Sequence, residues 1–210
     1  MANLHRIFIA INLSEKIKKD LFAFQDKWLD LPARWTWPQN LHITLVFLGN
    51  ASDQEVIDIC KTTAEVAKRH DPFDLTLNRI TYGPPNKEPR MVWAVGDKSA
   101  ELGSLQTDLT NYFYETGQPA FAASYAKASA AKKATADAAD EDSERHLFAP
   151  HITLARIKQF ELHKMESEEV PRIDEKIHNT FLVESIEVME SELKRGGPTY
   201  TVLESLKLGE

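Results

Sequence analysis

Apolar positions recur along the chain in two rhythms, every second residue in some stretches and every third or fourth in others, and their order predicts the elements. Leu4–Leu13 is a nearly unbroken apolar run, with Ile7, Ile9 and Ile11 on one side and Phe8 and Ala10 on the other, as in a strand buried on both faces. Ser14 stands at a helix N-cap position, and Ile17, Leu21, Phe24 and Trp28 follow at helical spacing until Pro32. Arg34–Pro38 reads as a short extended lead-in, its two tryptophans assigned to core or rim rather than to a ligand. Leu41–Phe47 is a strand that Gly49 closes. Ser52 with Glu55 has the spacing of a capping box and opens a second helix reaching about Arg69. Phe73–Tyr82 alternates as a half-buried strand, Gly83–Asn86 is a loop, and Arg90–Val95 is another strand. Ser99 caps a third helix that turns Leu102, Leu105, Leu109 and Phe113 inward, with Gly117 at its C′ position.

From Gln118 to Arg145 the pattern lapses. Ala122–Ala139 is dense in alanine with no apolar stripe, and Asp140-Glu141-Asp142 follows, so residues 118–145 are expected to be a flexible insertion within a single domain spanning 1–210. His146–Ala155 resumes as a strand, and Leu162 and Met165 mark a short helix ended by Pro171. Phe181–Met189 reads as one strand and, after a turn at Gly196-Gly197-Pro198, Thr199–Leu208 as the last. The order repeats. Strand, helix, strand, helix, strand fills the first half, and the same series restarts at Arg90 before a closing strand. The predicted fold is therefore α+β: two pseudo-symmetric lobes of antiparallel sheet, helices on their outer faces, and a central cleft.

One tetrapeptide occurs at the same step of both halves. His42-Ile43-Thr44-Leu45 and His151-Ile152-Thr153-Leu154 are identical. On a strand, alternation puts each His and Thr on one face, roughly 7 Å apart at about 3.3 Å per residue, and Ile and Leu on the other. A single such segment is most often an ordinary half-buried strand. Two in the same register are not asked for by packing. Set side by side, they place two imidazoles and two hydroxyls around one space. That set suits in-line displacement at phosphorus: one imidazole takes a proton, the other gives one, and hydroxyls hold the non-bridging oxygens. An ordinary pKa of about 6.5 fits histidine for both tasks.

Composition narrows the partners. The 210 residues carry 32 acidic and 25 basic side chains, a formal charge of −7, which argues against wrapping long nucleic acid but not against a small phosphate ligand in a basic pocket. The single cysteine, Cys60, allows no internal disulfide and sits among Val56, Ile57 and Ile59 on what reads as a buried helix face, so a cytoplasmic protein is expected. No signal segment or membrane span is expected. His5, His70, His146, His163 and His178 have no comparable context and are assigned to surface or packing; no Cys or carboxylate around them has zinc-ligand spacing, and no glycine-rich phosphate loop is present.

The longer strings around the two motifs carry a resemblance. Arg6–Ala10, Arg34-Trp35 with Pro38–Gly49, Phe148–Arg156 and Glu190–Tyr200 resemble the 2H phosphoesterase superfamily, and especially its RNA 2′,3′-cyclic phosphodiesterases, also called RNA 2′-5′ ligases. The alanine-rich stretch is longer than the loop such proteins have there. The resemblance implies metal-independent opening of 2′,3′-cyclic phosphate RNA ends to 2′-phosphomonoesters, without a cofactor, by a protein expected to be a monomer. It implies His42 as proton donor, His151 as proton acceptor, and Thr44, Thr153 and Arg156 as phosphate contacts. Strand parity puts Arg156 on the wrong face unless the strand ends or bulges first. Phe8 is a candidate base-stacking ring, with core packing the competing reading. Other substrates compatible with the same fold are 2′-5′ oligonucleotides and the cyclic phosphate of ADP-ribose. A binding module for RNA ends or nucleotides without turnover is the alternative of a different class.

Overall fold

Strand β1 (His5–Asn12) holds Ile7 through Ile11 at 2 % exposure or less, the double-sided burial its apolar run predicts. This comes from a computed structural model that describes residues 4–117, 148–166, 168–195 and 197–210; the expected insertion at 118–145, and His146, lie outside them. Ser14 caps α1 (Glu15–Phe22) by accepting from the Ile17 N–H. The chain then tightens into 3-10 turns over Ala23–Trp28, where a single helix was expected. The tighter winding lets Phe24 stack on Trp28, and Trp28 in turn on Trp35 of β2 (Ala33–Trp35), at centroid separations of 6.3 Å in both pairs.

A short 3-10 turn (Pro38–Asn40) leads into β3 (His42–Ala51), and the capping box of Ser52 and Glu55 opens α2 (Asp53–Ala67). Then come β4 (Phe73–Gly83), β5 (Met91–Gly96) and α3 (Ala100–Glu115), which Ser99 caps as expected. The second half runs through β6 (His151–Ile157), α4 (Gln159–Leu162), β7 (Asp174–Val183), β8 (Ser185–Lys194) and β9 (Gly197–Lys207). The second His strand starts at His151, five residues later than expected, because Phe148–Pro150 is irregular.

The strands form one antiparallel sheet in the order β7-β4-β5-β6-β3-β1-β8-β9, with β2 added beside β6. The order is symmetric about the junction of β6 and β3, so the two expected lobes are the two halves of this sheet. Each half keeps the first two strands of one repeat and borrows a third: β4 crosses to pair with β5, and β8 crosses to pair with β1. α2 and α3 pack against each other and against β3, and Ile59, Val66, Leu105, Leu109 and Phe113 are fully buried between helices and sheet.

Two expectations are corrected. The alternation over Phe181–Met189 is not one strand. Glu184 separates β7, which pairs with β4 at one edge, from β8, which pairs with β1 in the other half. The first part of β7 is hidden in the sequence by charge: Asp174 pairs with Arg79 and Glu175 with Lys27, as suits a solvated edge strand. Gly49 does not close its strand either. It takes φ +88°, pairs with Ile7, and leaves Leu48 as the extra residue of a bulge, after which β3 continues to Ala51.

Candidate active site

The cleft exists because β3 and β6 meet and then part. Their register contains the pair Ile43–Ile152, and beyond it β2 takes over the edge of β6, with Trp35 opposite Ala155 and Ala33 opposite Ile157. Antiparallel pairing about Ile43–Ile152 sets His42 beside Thr153 and Thr44 beside His151. Ile43 and Ile152 are fully buried, and the four polar side chains line one cavity of about 570 Å³ on the opposite face. The repeated tetrapeptide is thereby brought together, as its spacing predicts.

The two strands repeat a bulge as well as a motif. Along β3, Ile9 pairs with Val46 and Ala10 with Thr44, leaving Leu45 over; along β6, Val92 pairs with Ala155 and Trp93 with Thr153, leaving Leu154 over. In both copies the two residues after Thr are buried and the next is exposed. The extra residue reverses strand parity, so Arg156 returns to the cleft face, which simple alternation forbids and a bulge allows. Its counterpart in the other half is Phe47, which is 59 % exposed and lines the same cavity.

Each imidazole is turned by the carbonyl two residues before it. His42 Nδ1 donates to the Asn40 carbonyl at 2.7 Å, which leaves Nε2 facing Thr44 Oγ1 at 2.9 Å. His151 Nδ1 makes the equivalent, longer contact with the Ala149 carbonyl at 3.5 Å. Burial lowers the pKa of both rings below the ordinary histidine value, against the opposing pull of these carbonyls. His42 is lowered further by the charges of His151 and Lys18.

Aromatic rings support both imidazoles. Phe8 lies 5.0 Å from His42, Tyr200 meets the same ring edge-on at 5.1 Å, and Trp93 lies 4.4 Å from His151. Phe8 is only 2 % exposed and packs as the floor beneath His42, bordering the cavity, as the core-packing reading expects. Trp93 rests on the backbone of Gly83: a Cβ there would stand 2.3 Å from Trp93 Cδ2. Gly83→Ala is expected to push the indole toward His151, costing about 1–3 kcal/mol in stability and lowering turnover; urea melts and initial rates check both.

Several lining residues carried no assignment from sequence. Asn40 is buried and its amide donates to the Pro198 carbonyl at 2.8 Å, which ties the β8–β9 hairpin, and with it Tyr200, to the His42 strand. A lone Asn before an apolar run is the faint signal it leaves. Burial raises the Tyr200 hydroxyl above its ordinary pKa even though Arg156 and Arg6 both pull it down. Arg6 and Arg34 also line the rim, together with the two tryptophans assigned to core or rim from sequence, Trp37 being 60 % exposed and Trp35 partly packed in the core.

Three of the other histidines have structural partners, and His178 is exposed on β7. His5 bridges Asp53 and Glu190 at 2.7 Å each, His70 holds Asp108 at 2.9 Å, and His163 bonds Glu88. Cys60 is half-buried, its thiol pushed up to about 12 by burial and the Glu204 carboxylate, which leaves no thiolate for chemistry. Among the described residues no group of three His, Cys, Asp or Glu could hold a metal ion, and no helix is long and apolar enough to cross a membrane.

The profile described as LigT like phosphoesterase matches residues 11–93 and 125–200. A protein of Aquifex aeolicus named RNA 2′,3′-cyclic phosphodiesterase is 28 % identical over 198 residues, covering 94 % of this chain and 90 % of its own length. One of the same name from Thermus thermophilus is 29 % identical over 215 residues, covering 97 % and 90 %. Among solved structures, TT0787 of Thermus thermophilus superposes with a TM-score of 0.72 at 28 % identity, over 97 % of this chain and 98 % of that one. E. coli LigT complexed with 3′-AMP superposes at 0.67 and 23 % identity, over 99 % and 100 %, and shares the fold.

Proposed function

Since this chain belongs to the LigT-like phosphoesterase family, we propose that it opens the 2′,3′-cyclic phosphate at an RNA end to a 2′-phosphomonoester. Supporting this are relatives named for that activity along nearly the whole chain and, above all, two imidazoles from equivalent strand positions, each with Nδ1 on the carbonyl two residues back. That leaves both Nε2 atoms for the cleft. Water attacks phosphorus while His151 Nε2 takes its proton. The bond from phosphorus to O3′ breaks, and the departing oxygen receives the proton of His42 Nε2. Thr44 and Thr153 hold the non-bridging oxygens, and Arg156 offsets the negative charge. Proton exchange with water resets the pair. The reverse reaction, a 2′-5′ linkage made from a cyclic phosphate and an RNA hydroxyl, uses the same groups with roles exchanged and is minor in water.

The chemistry asks for no metal or cofactor. Purified protein should open a nucleoside 2′,3′-cyclic phosphate in excess chelator, and phosphorus NMR should place the product phosphate on O2′. Product on O3′, or loss of turnover on chelation, would overturn the proposal. Both histidine pKa values lie below the ordinary 6.5, so kcat/KM should follow a bell with its maximum below about pH 6.5. The acid limb is loss of the base form; the alkaline limb is loss of the protonated donor.

A further inference from the structure

The β2–β6 register places Arg34 directly opposite Arg156. Like charges in that position destabilise a strand pair. Neither guanidinium has a carboxylate within ion-pair distance among the described residues; Arg156 makes only a 3.8 Å contact to Met91 sulfur. Both are exposed and both line the cleft. In a chain with seven more acidic than basic side chains, two neighbouring cations without a carboxylate partner make this rim a local attractor for phosphate groups.

We propose that Arg34, set beside Arg156, forms a second anion subsite, which holds the phosphodiester on the 5′ side of the nucleoside that carries the cyclic phosphate. The inference rests on the hydrolase reading above and extends it: the preferred substrate is the end of an oligonucleotide, not a mononucleotide. The spacing supports this. Because the bulge takes up Leu154, Arg156 lies two ladder steps beyond Thr153, roughly 7 Å along the strand at about 3.3 Å per step. An extended arginine covers that distance, so Arg156 serves the reacting phosphate, while Arg34, on the neighbouring strand, is placed for the next phosphate along the chain. Arg34 comes from a strand with no part in the motif, so it serves the flanking phosphate. Arginine also suits the task through its two-pronged match to phosphate oxygens.

Three substrates test this: a nucleoside 2′,3′-cyclic phosphate, a dinucleotide ending in the same group, and that dinucleotide with an uncharged methylphosphonate linkage. In the wild type, kcat/KM for the charged dinucleotide should exceed that for the neutral one by about tenfold, and high salt should narrow the ratio. In Arg34→Gln the ratio should fall to near one, with the melting temperature equal or higher because a like-charge repulsion is gone. A ratio near one in the wild type, or a ratio unchanged in Arg34→Gln, overturns the subsite and leaves the hydrolase reading standing. A melting temperature that drops with an unchanged ratio assigns Arg34 to the fold and also overturns the subsite. Failure of all three substrates in the wild type ends both.

Discussion

His42→Ala and His151→Ala should each cut kcat by about a thousandfold, within the range that general acid–base groups supply. His42 has no stand-in: its Nδ1 is held by the Asn40 carbonyl at 2.7 Å, and the nearby Lys18 is paired with Glu15. His151 is equally isolated, with Trp93 against one side of its ring. Since donor and acceptor serve one displacement, the losses should not add. The double variant should fall only slightly below either single one, because removing one partner already abolishes the concerted step. Rates on a nucleoside 2′,3′-cyclic phosphate, with circular dichroism to verify folding, check this. A single variant that retains a tenth of wild-type turnover would remove that histidine from the mechanism.

Thr44→Ala should lower kcat by about a hundredfold, the cost of losing one donor to the developing negative charge. Its hydroxyl also bonds His42 Nε2 at 2.9 Å, so the alanine variant should shift the alkaline limb of the pH profile as well. Thr44→Ser keeps the oxygen and should restore most of the rate. Thr153→Ala should resemble Thr44→Ala in kcat and leave the alkaline limb in place, since Thr153 stands in the other motif. Equal pH profiles for both variants would contradict the separate part given to Thr44.

Much of this cleft could be read before any coordinates. The duplication supplied the register of the two His strands, and the alternation of Ile43 with Thr44 assigned inside and outside correctly because one face is wholly buried. For Arg156 to reach the cleft, parity asked that the strand end or bulge first, and β6 bulges at Leu154. What escaped the sequence has a common cause. The carbonyls of Asn40 and Ala149 act through backbone, which has no side-chain signature. Trp93 and Gly83 meet only through the β4–β5 pairing, and Arg34 meets Arg156 only because β2 replaces β3 along β6. β7 was hidden because an edge strand with charged residues loses the alternation that marks a half-buried one. Phe8 was open between floor and stacking platform, since a ring on a doubly buried strand reads the same either way until its neighbours are known.

A crystal structure with a nucleoside 2′-phosphate bound tests the shared-cleft mechanism most directly. The phosphorus should lie between the two motifs, with the Nε2 atoms of His42 and His151 each about 3 Å from an oxygen of the phosphate or from O3′. A phosphate held by one imidazole alone, or seated outside the cleft between β3 and β6, would contradict it.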